Sequence, residues 1–151
     1  MNSPVITGLD YWMGRDSKYR SDWTEEVKCH AADLLARVNR LLELMLGVDF
    51  EVHPTNRSIV SSGWRPPAFN AQVPGAAPKS KHMTGQAVDL YDPDGDLKAW
   101  CWEHQEALSR LDIDLYMEHP ASTKGWLHLQ SVPPNSQKKF PLNARKRWFY
   151  P

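Results

Sequence analysis

His82 and Asp89 stand seven residues apart in the stretch Ser80-Lys81-His82-Met83-Thr84-Gly85-Gln86-Ala87-Val88-Asp89, and His128 follows far downstream in Gly125-Trp126-Leu127-His128-Leu129. Two imidazoles and a carboxylate make three protein ligands for a zinc ion. A catalytic zinc keeps its fourth tetrahedral position for water, whereas a structural zinc closes it with protein. The three residues therefore read as ligands of a catalytic Zn²⁺. Gly85 and Ala87, lying between the first two, are small enough to let the backbone fold closely around an ion. His30, His53, His104 and His119 lack such surroundings; His30 and His104 read as helix-surface or packing residues, and His119 as a reserve acid or transition-state donor. The acidic run Asp92-Pro93-Asp94-Gly95-Asp96 has Leu97 at the sixth position, where a calcium loop needs glycine, so it reads as a turn and a helix cap.

Elements must hold these side chains. Apolar residues at Val27, Ala31, Leu34, Leu35, Val38, Leu41, Leu42 and Met45 recur at three- and four-residue steps and predict a long scaffold helix over residues 22–46. Asp22 with Glu25 suggests a capping box, and Gly47 a stop. The preceding Tyr11-Trp12-Met13-Gly14-Arg15-Asp16 is too aromatic for a disordered tail and is expected to pack over the core or line a cleft, packing being the preferred reading. Prolines and glycines through residues 53–78 rule out a long regular element there, but Ile59 to Trp64 reads as a short strand that delivers Arg65 just before Pro66 and Pro67 hold the chain extended. A second helix is predicted over residues 97–111 with Asp96 as its cap. Two strands should follow, one alternating Ile113, Leu115 and Met117 with Asp114, Tyr116 and Glu118, the other alternating Leu127 and Leu129 with Trp126, His128 and Gln130. If residues 119–125 form the connection, Glu118 opposes Trp126 and Tyr116 opposes His128. Glu118 then sits diagonal to His128 on one face, within about 5 to 8 Å, where a general base belongs.

Composition bounds the function classes. At 151 residues and 41% apolar content the chain is sized for a single domain spanning residues 1–151. Lysine plus arginine and aspartate plus glutamate number 18 each, so no global field concentrates nucleic acid or an anionic membrane, and neither is an expected partner. Cys29 and Cys101 form no paired motif and read as two buried thiols of a reducing compartment. The first residues show no basic and apolar leader, and no window reaches the roughly 18 apolar residues of a membrane span. A soluble monomer made in the cytoplasm is expected. Lys138-Lys139-Phe140 and Arg145-Lys146-Arg147-Trp148-Phe149-Tyr150 could form a basic-aromatic binding patch, but docking of the aromatics on the core is the reading preferred here.

From Ser61-Ser62-Gly63-Trp64-Arg65-Pro66 through the Ser-x-His-x-x-Gly-x-Ala-x-Asp stretch to Gly125-Trp126-Leu127-His128-Leu129, about half the chain resembles the zinc peptidases that include D-alanyl-D-alanine carboxypeptidases, vancomycin-resistance dipeptidases and many phage endolysins. The Tyr-Trp-Met-Gly-Arg-Asp segment and Tyr116-Met117-Glu118-His119-Pro120 are most similar to the small phage and prophage branch. The resemblance implies an α+β fold of the hedgehog and D-Ala-D-Ala peptidase kind, with a small, mainly antiparallel sheet flanked by helices and zinc in a groove on the sheet. It implies His82, Asp89 and His128 as metal ligands and Arg65 as a substrate-binding arginine, assisted by Ser80 and Gln72. Many members carry the base in a Glu-x-x-His arrangement, but here that position is Gly125, which leaves Glu118 and His119 as the two candidates. The implied activity is hydrolysis of an amide in the peptide stem of peptidoglycan, with zinc-bound water as nucleophile. An endolysin released through a separate pore is the leading reading. The alternatives are a cytoplasmic D,D-dipeptidase or carboxypeptidase, and a non-catalytic, zinc-stabilised wall-binding module.

Overall fold

A computed structural model of the chain describes residues 4–134 and 146–151. Its longest element is α3 (Glu25–Leu44), preceded by the short helices α1 (Gly8–Trp12) and α2 (Arg15–Lys18). The three- and four-residue spacing places Ala31, Leu34, Val38, Leu41 and Leu42 on one buried stripe of α3. Its cap is Thr24, whose hydroxyl accepts from the Val27 N–H at 3.2 Å, and not the expected Asp22. The helix ends at Leu44, and Gly47 follows with a left-handed φ of 77°.

The helix predicted over residues 97–111 is in fact two, α5 (Asp96–Glu103) and α6 (Gln105–Leu108), which break at His104 with φ −124° and ψ 51°. His104 stacks on Trp100 and its Nδ1 lies 2.7 Å from the Trp100 carbonyl oxygen. The apolar spacing runs through the break, so periodicity alone does not reveal it. Asp96 opens α5 without capping it; the capping carboxylate is Asp92, which accepts from the Leu97 and Lys98 N–H groups at 3.0 and 2.9 Å. That contact also explains the acidic run as a turn.

The sheet contains β1 (Val60–Ser62), β2 (Ala87–Tyr91), β3 (Tyr116–Glu118), β4 (Trp126–Gln130) and β5 (Trp148–Phe149), in the order β1-β2-β4-β3-β5. Three pairings are antiparallel, but β5 runs parallel to β3, so the sheet is mixed rather than antiparallel throughout. The predicted strand over residues 113–118 is shortened to its last three residues because Asp114 has φ 46°, which interrupts the extended backbone. Docking of Trp148 against the core and burial of Phe149 agree with the packing reading of the C-terminal aromatics. Lys138, Lys139, Phe140 and Arg145 lie outside the described residues.

One face of the sheet is apolar: Val88, Leu90, Leu127, Leu129 and Met117 are buried in a core shared with α3, α5 and α6. The Tyr11 segment braces this core as expected. Tyr11 donates its hydroxyl to the Ala87 carbonyl at 2.8 Å and accepts from the Trp64 N–H at 2.9 Å, while Arg15 donates to the Trp64 carbonyl at 2.7 Å. Of the two cysteines only Cys101 is buried; Cys29 is exposed on α3. Among the described residues no helix is long and apolar enough to cross a membrane.

The small residues between His82 and Asp89 serve a different contact from the one expected. Gly85 has φ 77°, and a Cβ there would stand 2.8 Å from the Val27 carbonyl oxygen and 3.3 Å from the Ala31 nitrogen. Glycine thus lets the turn before β2 lie directly on the backbone of α3. Gly85→Ala is expected to lower stability by about 2 kcal/mol or more, combining left-handed strain with a backbone clash. Urea melts measure this, and an unchanged midpoint would show that α3 yields without penalty.

Candidate metal centre

The polar face of the sheet follows from the same two-residue alternation that builds the core. In the β2–β4 pairing Val88 faces Leu129 and Leu90 faces Leu127 on the core side, so Asp89 and His128, which are direct partners, both project to the other side. His82 joins them from the turn before β2. Its backbone is pinned twice: its N–H donates to Ser80 Oγ at 3.2 Å, and its carbonyl accepts from the Arg65 N–H at 3.1 Å. Asp89 Oδ2 then lies 3.3 Å from His82 Nε2, and Asp89 Oδ1 lies 2.8 Å from His128 Nδ1. One donor atom from each of the three residues falls within 4.8 Å of the others.

The donor set fits a zinc ion. Ligand atoms around a tetrahedral zinc, with bonds near 2.0 to 2.2 Å, stand roughly 3.3 to 3.6 Å apart. His82 Nδ1 lies 2.9 Å from the Gly63 carbonyl oxygen, which can only accept, so the ring proton sits on Nδ1. The Nε2 lone pair of the neutral ring therefore points at an ionised carboxylate. That contact is completed by a cation, either a second proton on the ring or a metal ion, and the carbonyl–imidazole arrangement is the usual support of a metal-bound histidine. Burial by itself would raise the Asp89 carboxyl, but the charge of His82 and the hydrogen bonds from both imidazoles hold it well below the usual carboxylate range. Burial would lower His128, yet its hydrogen bond to Asp89 and the charge of that carboxylate raise it.

These residues line an open groove of about 730 Å³. Glu118 is in its wall. The β3–β4 register pairs Tyr116 with Gln130 and Met117 with Leu129; continued by one residue it sets Glu118 opposite His128 rather than opposite Trp126. The shift from expectation is two residues, so parity is kept and Glu118 remains on the groove face. Burial raises its carboxyl above the ordinary range, His128 opposes that rise and Asp89 adds to it.

Arg65 and Ser80 also line the groove, with Arg65 Nη2 donating to Ser80 Oγ at 3.1 Å. Ser80 thus ties the arginine to His82. Among the described residues the buried Arg65 Nε has no hydrogen-bond partner. Gln72 is exposed and stands outside the lining; the wall begins at Val73 and runs on to Lys79 and Lys81. His119 is also outside the lining. Its Nδ1 accepts from the Ala121 N–H at 3.1 Å, and its ring stacks on Tyr150 and meets Trp102 and Trp148 edge-on.

Two contacts of the site were not anticipated. Gln130 is buried, with Oε1 2.9 Å from His128 Nε2; its position two residues after His128 on one strand is the signal that points to it. Phe149 meets the His128 ring edge-on at 6.0 Å and lines the groove. Its two-residue strand leaves no periodicity to read.

Residues 48–110 match the family model described as Peptidase M15. The matched stretch is under half of the chain; it includes Arg65, Ser80, His82 and Asp89 and ends before Glu118 and His128. The match supports the M15 family of zinc metallopeptidases. No curated protein and no solved structure matches the chain.

The chain is expected to bind one zinc ion, and His82→Ala, Asp89→Ala and His128→Ala should each abolish tight binding. Protons compete for the same ring: because Asp89 raises His128 above its usual value, affinity should be full at alkaline pH and fall by roughly tenfold per unit as the pH drops below the His128 pKa. Calorimetric titration with zinc across pH checks both, and pH-independent affinity would show that His128 is not a ligand.

Proposed function

We propose, from the family match and the groove together, that this chain is a zinc-dependent peptidase that hydrolyses an amide in the peptide stem of peptidoglycan. The observation that carries the reading is Glu118 standing across the sheet from His128, in the wall of an open groove that also holds His82 and Asp89. When bound, zinc would polarise the scissile carbonyl and acidify water at its open position.

The remaining work falls to side chains. Glu118 takes a proton from the attacking water and returns it to the leaving amine as the C–N bond breaks, and its desolvated carboxyl is poised for that exchange. Arg65, fixed by Ser80 in the groove wall, grips a substrate carboxylate or carbonyl near the reacting bond. Lys79 and Lys81 add positive charge to the same wall, which favours a peptide bearing free carboxylates. Phe149 and Trp126 supply apolar wall against which small aliphatic side chains can rest. His119 is engaged with Ala121 and the surrounding aromatics, which favours Glu118 as the base.

The biological setting we favour is an endolysin, reaching the wall from the host cytoplasm through a separate pore and acting as a monomer. A D,D-dipeptidase or carboxypeptidase acting on soluble precursors would use the same groove. The two separate by assay: loss of turbidity of permeabilised cells marks the first, and release of free D-alanine from precursors marks the second. Tight wall binding by the zinc-loaded protein with no new amine ends would instead indicate a binding module.

Glu118→Gln is expected to keep zinc and lose about 10²- to 10⁴-fold in turnover, read by mass spectrometry of digested peptidoglycan. Full turnover would remove Glu118 from the mechanism. The double change Lys79→Glu with Lys81→Glu should raise KM several-fold, leave kcat within about a factor of two and weaken the salt dependence. An unchanged KM would take the two lysines out of substrate binding.

A further inference from the structure

We infer that Gln130 is a positioning residue that locks His128 into the tautomer whose Nδ1 lone pair faces the metal site. The inference rests on the zinc reading of the site and goes beyond it, since Gln130 belongs to none of the ligand, base or substrate roles above.

Residues two apart on β4 share a face about 6.6 to 6.8 Å apart, so a side chain as long as glutamine can reach back to the imidazole of its neighbour. Both are buried: His128 is 7% and Gln130 4% exposed, so water does not compensate either polar group. The orientation of the amide is decided by its other end. Gln130 Nε2 donates to the Val132 carbonyl at 2.9 Å, and because a carbonyl accepts only, the amide nitrogen must face it. Oε1 is thereby turned to His128 Nε2, at 2.9 Å. Oε1 is itself an acceptor, so the ring proton must lie on Nε2 and the lone pair of the neutral ring on Nδ1.

Nδ1 is the atom 2.8 Å from Asp89 Oδ1, on the side where His82 Nε2 also converges. The chain Val132 carbonyl, Gln130 amide, His128 imidazole thus does for His128 what the Gly63 carbonyl does for His82. The two ligand rings come out in opposite tautomers, Nε2 toward the site for His82 and Nδ1 toward it for His128. A backbone acceptor sets the first, whereas the second depends on one side chain. Without the amide, the buried Nε2–H would lose the one hydrogen-bond acceptor it has among the described residues, and the ring could turn or exchange tautomers with less penalty.

Two variants and one spectrum test this. Gln130→Met keeps length and apolar bulk but removes the acceptor, and is expected to weaken zinc affinity about 10- to 100-fold while the melting temperature of the zinc-free protein stays within a few degrees of wild type. Gln130→Glu restores an acceptor against Nε2 but sets a carboxylate oxygen against the Val132 carbonyl, so it should recover part of the lost affinity. In wild type, ¹⁵N spectra of histidine-labelled, zinc-loaded protein should show His128 protonated at Nε2 and metal-bound at Nδ1. The role is overturned if Gln130→Met binds zinc as tightly as wild type, if Gln130→Glu is as weak as Gln130→Met, or if the spectra place the His128 proton on Nδ1. The last measurement decides the matter even if both variants fold poorly. A wild type that binds no zinc would overturn the metal reading and this role with it, whereas zinc-tight wild type without hydrolysis would sink only the peptidase reading.

Discussion

Asp89 is an ionised carboxylate whose side chain is 13% exposed, held between two imidazoles that are themselves buried. Removing a carboxylate from water costs several kcal/mol unless opposite charge and hydrogen bonds surround it. Much of the neighbouring structure is explained by that requirement. The β2–β4 register brings His128 directly opposite, the turn before β2 brings His82 to the other oxygen, and Gly63 at the end of β1 holds the His82 ring. A divalent cation among these donors would relieve the same demand more completely than shared protons do, which is why a metal centre and a buried charge here are one problem.

The core enforces the geometry of the site from the opposite side of the sheet. Val88, Leu90, Leu127 and Leu129 bury on α3, α5 and α6, and a one-residue slip of either strand would expose that apolar set together with turning Asp89 or His128 inward. Site register is therefore secured by hydrophobic burial rather than by the ligands. The braces have a similar logic. Tyr11 reaches Ala87 at the start of β2 and Trp64 beyond β1, so the first described residues of the chain are fastened to the two segments that carry Gly63, His82 and Asp89.

Glu118 reaches the groove through its place across the sheet rather than through a segment local to His128. A glutamate three residues before the last histidine is unavailable, since that position is Gly125 with φ 99°. The carboxylate comes instead from β3, one strand over and level with His128. Parallel addition of β5 then places Phe149 beside Glu118 and edge-on to His128, and burial raises the Glu118 carboxyl. The sheet edge thus sets the surroundings of a residue on the adjoining strand.

The three residues that converge as a candidate metal centre, the placement of Arg65 after β1, the long helix, β4 and the parity of Glu118 were legible in the residues themselves, because each depends on local pattern: the spacing of apolar positions, the alternation along a strand, and the donor types at His82, Asp89 and His128. What local pattern cannot specify is which residues meet across the fold. The two-residue difference in the β3–β4 register, the parallel β5, the break at His104 and the cap supplied by Asp92 are all decided by packing or by a partner distant in space. The same is true of Gln130 and His119, two polar residues of similar promise by type. One is buried with its amide turned to His128 by the Val132 carbonyl, and the other is held among Trp102, Trp148 and Tyr150. Residue chemistry by itself named candidate donors, and only tertiary structure chose their partners, because a hydrogen bond or a metal ligand is defined by a position in space that no single segment contains.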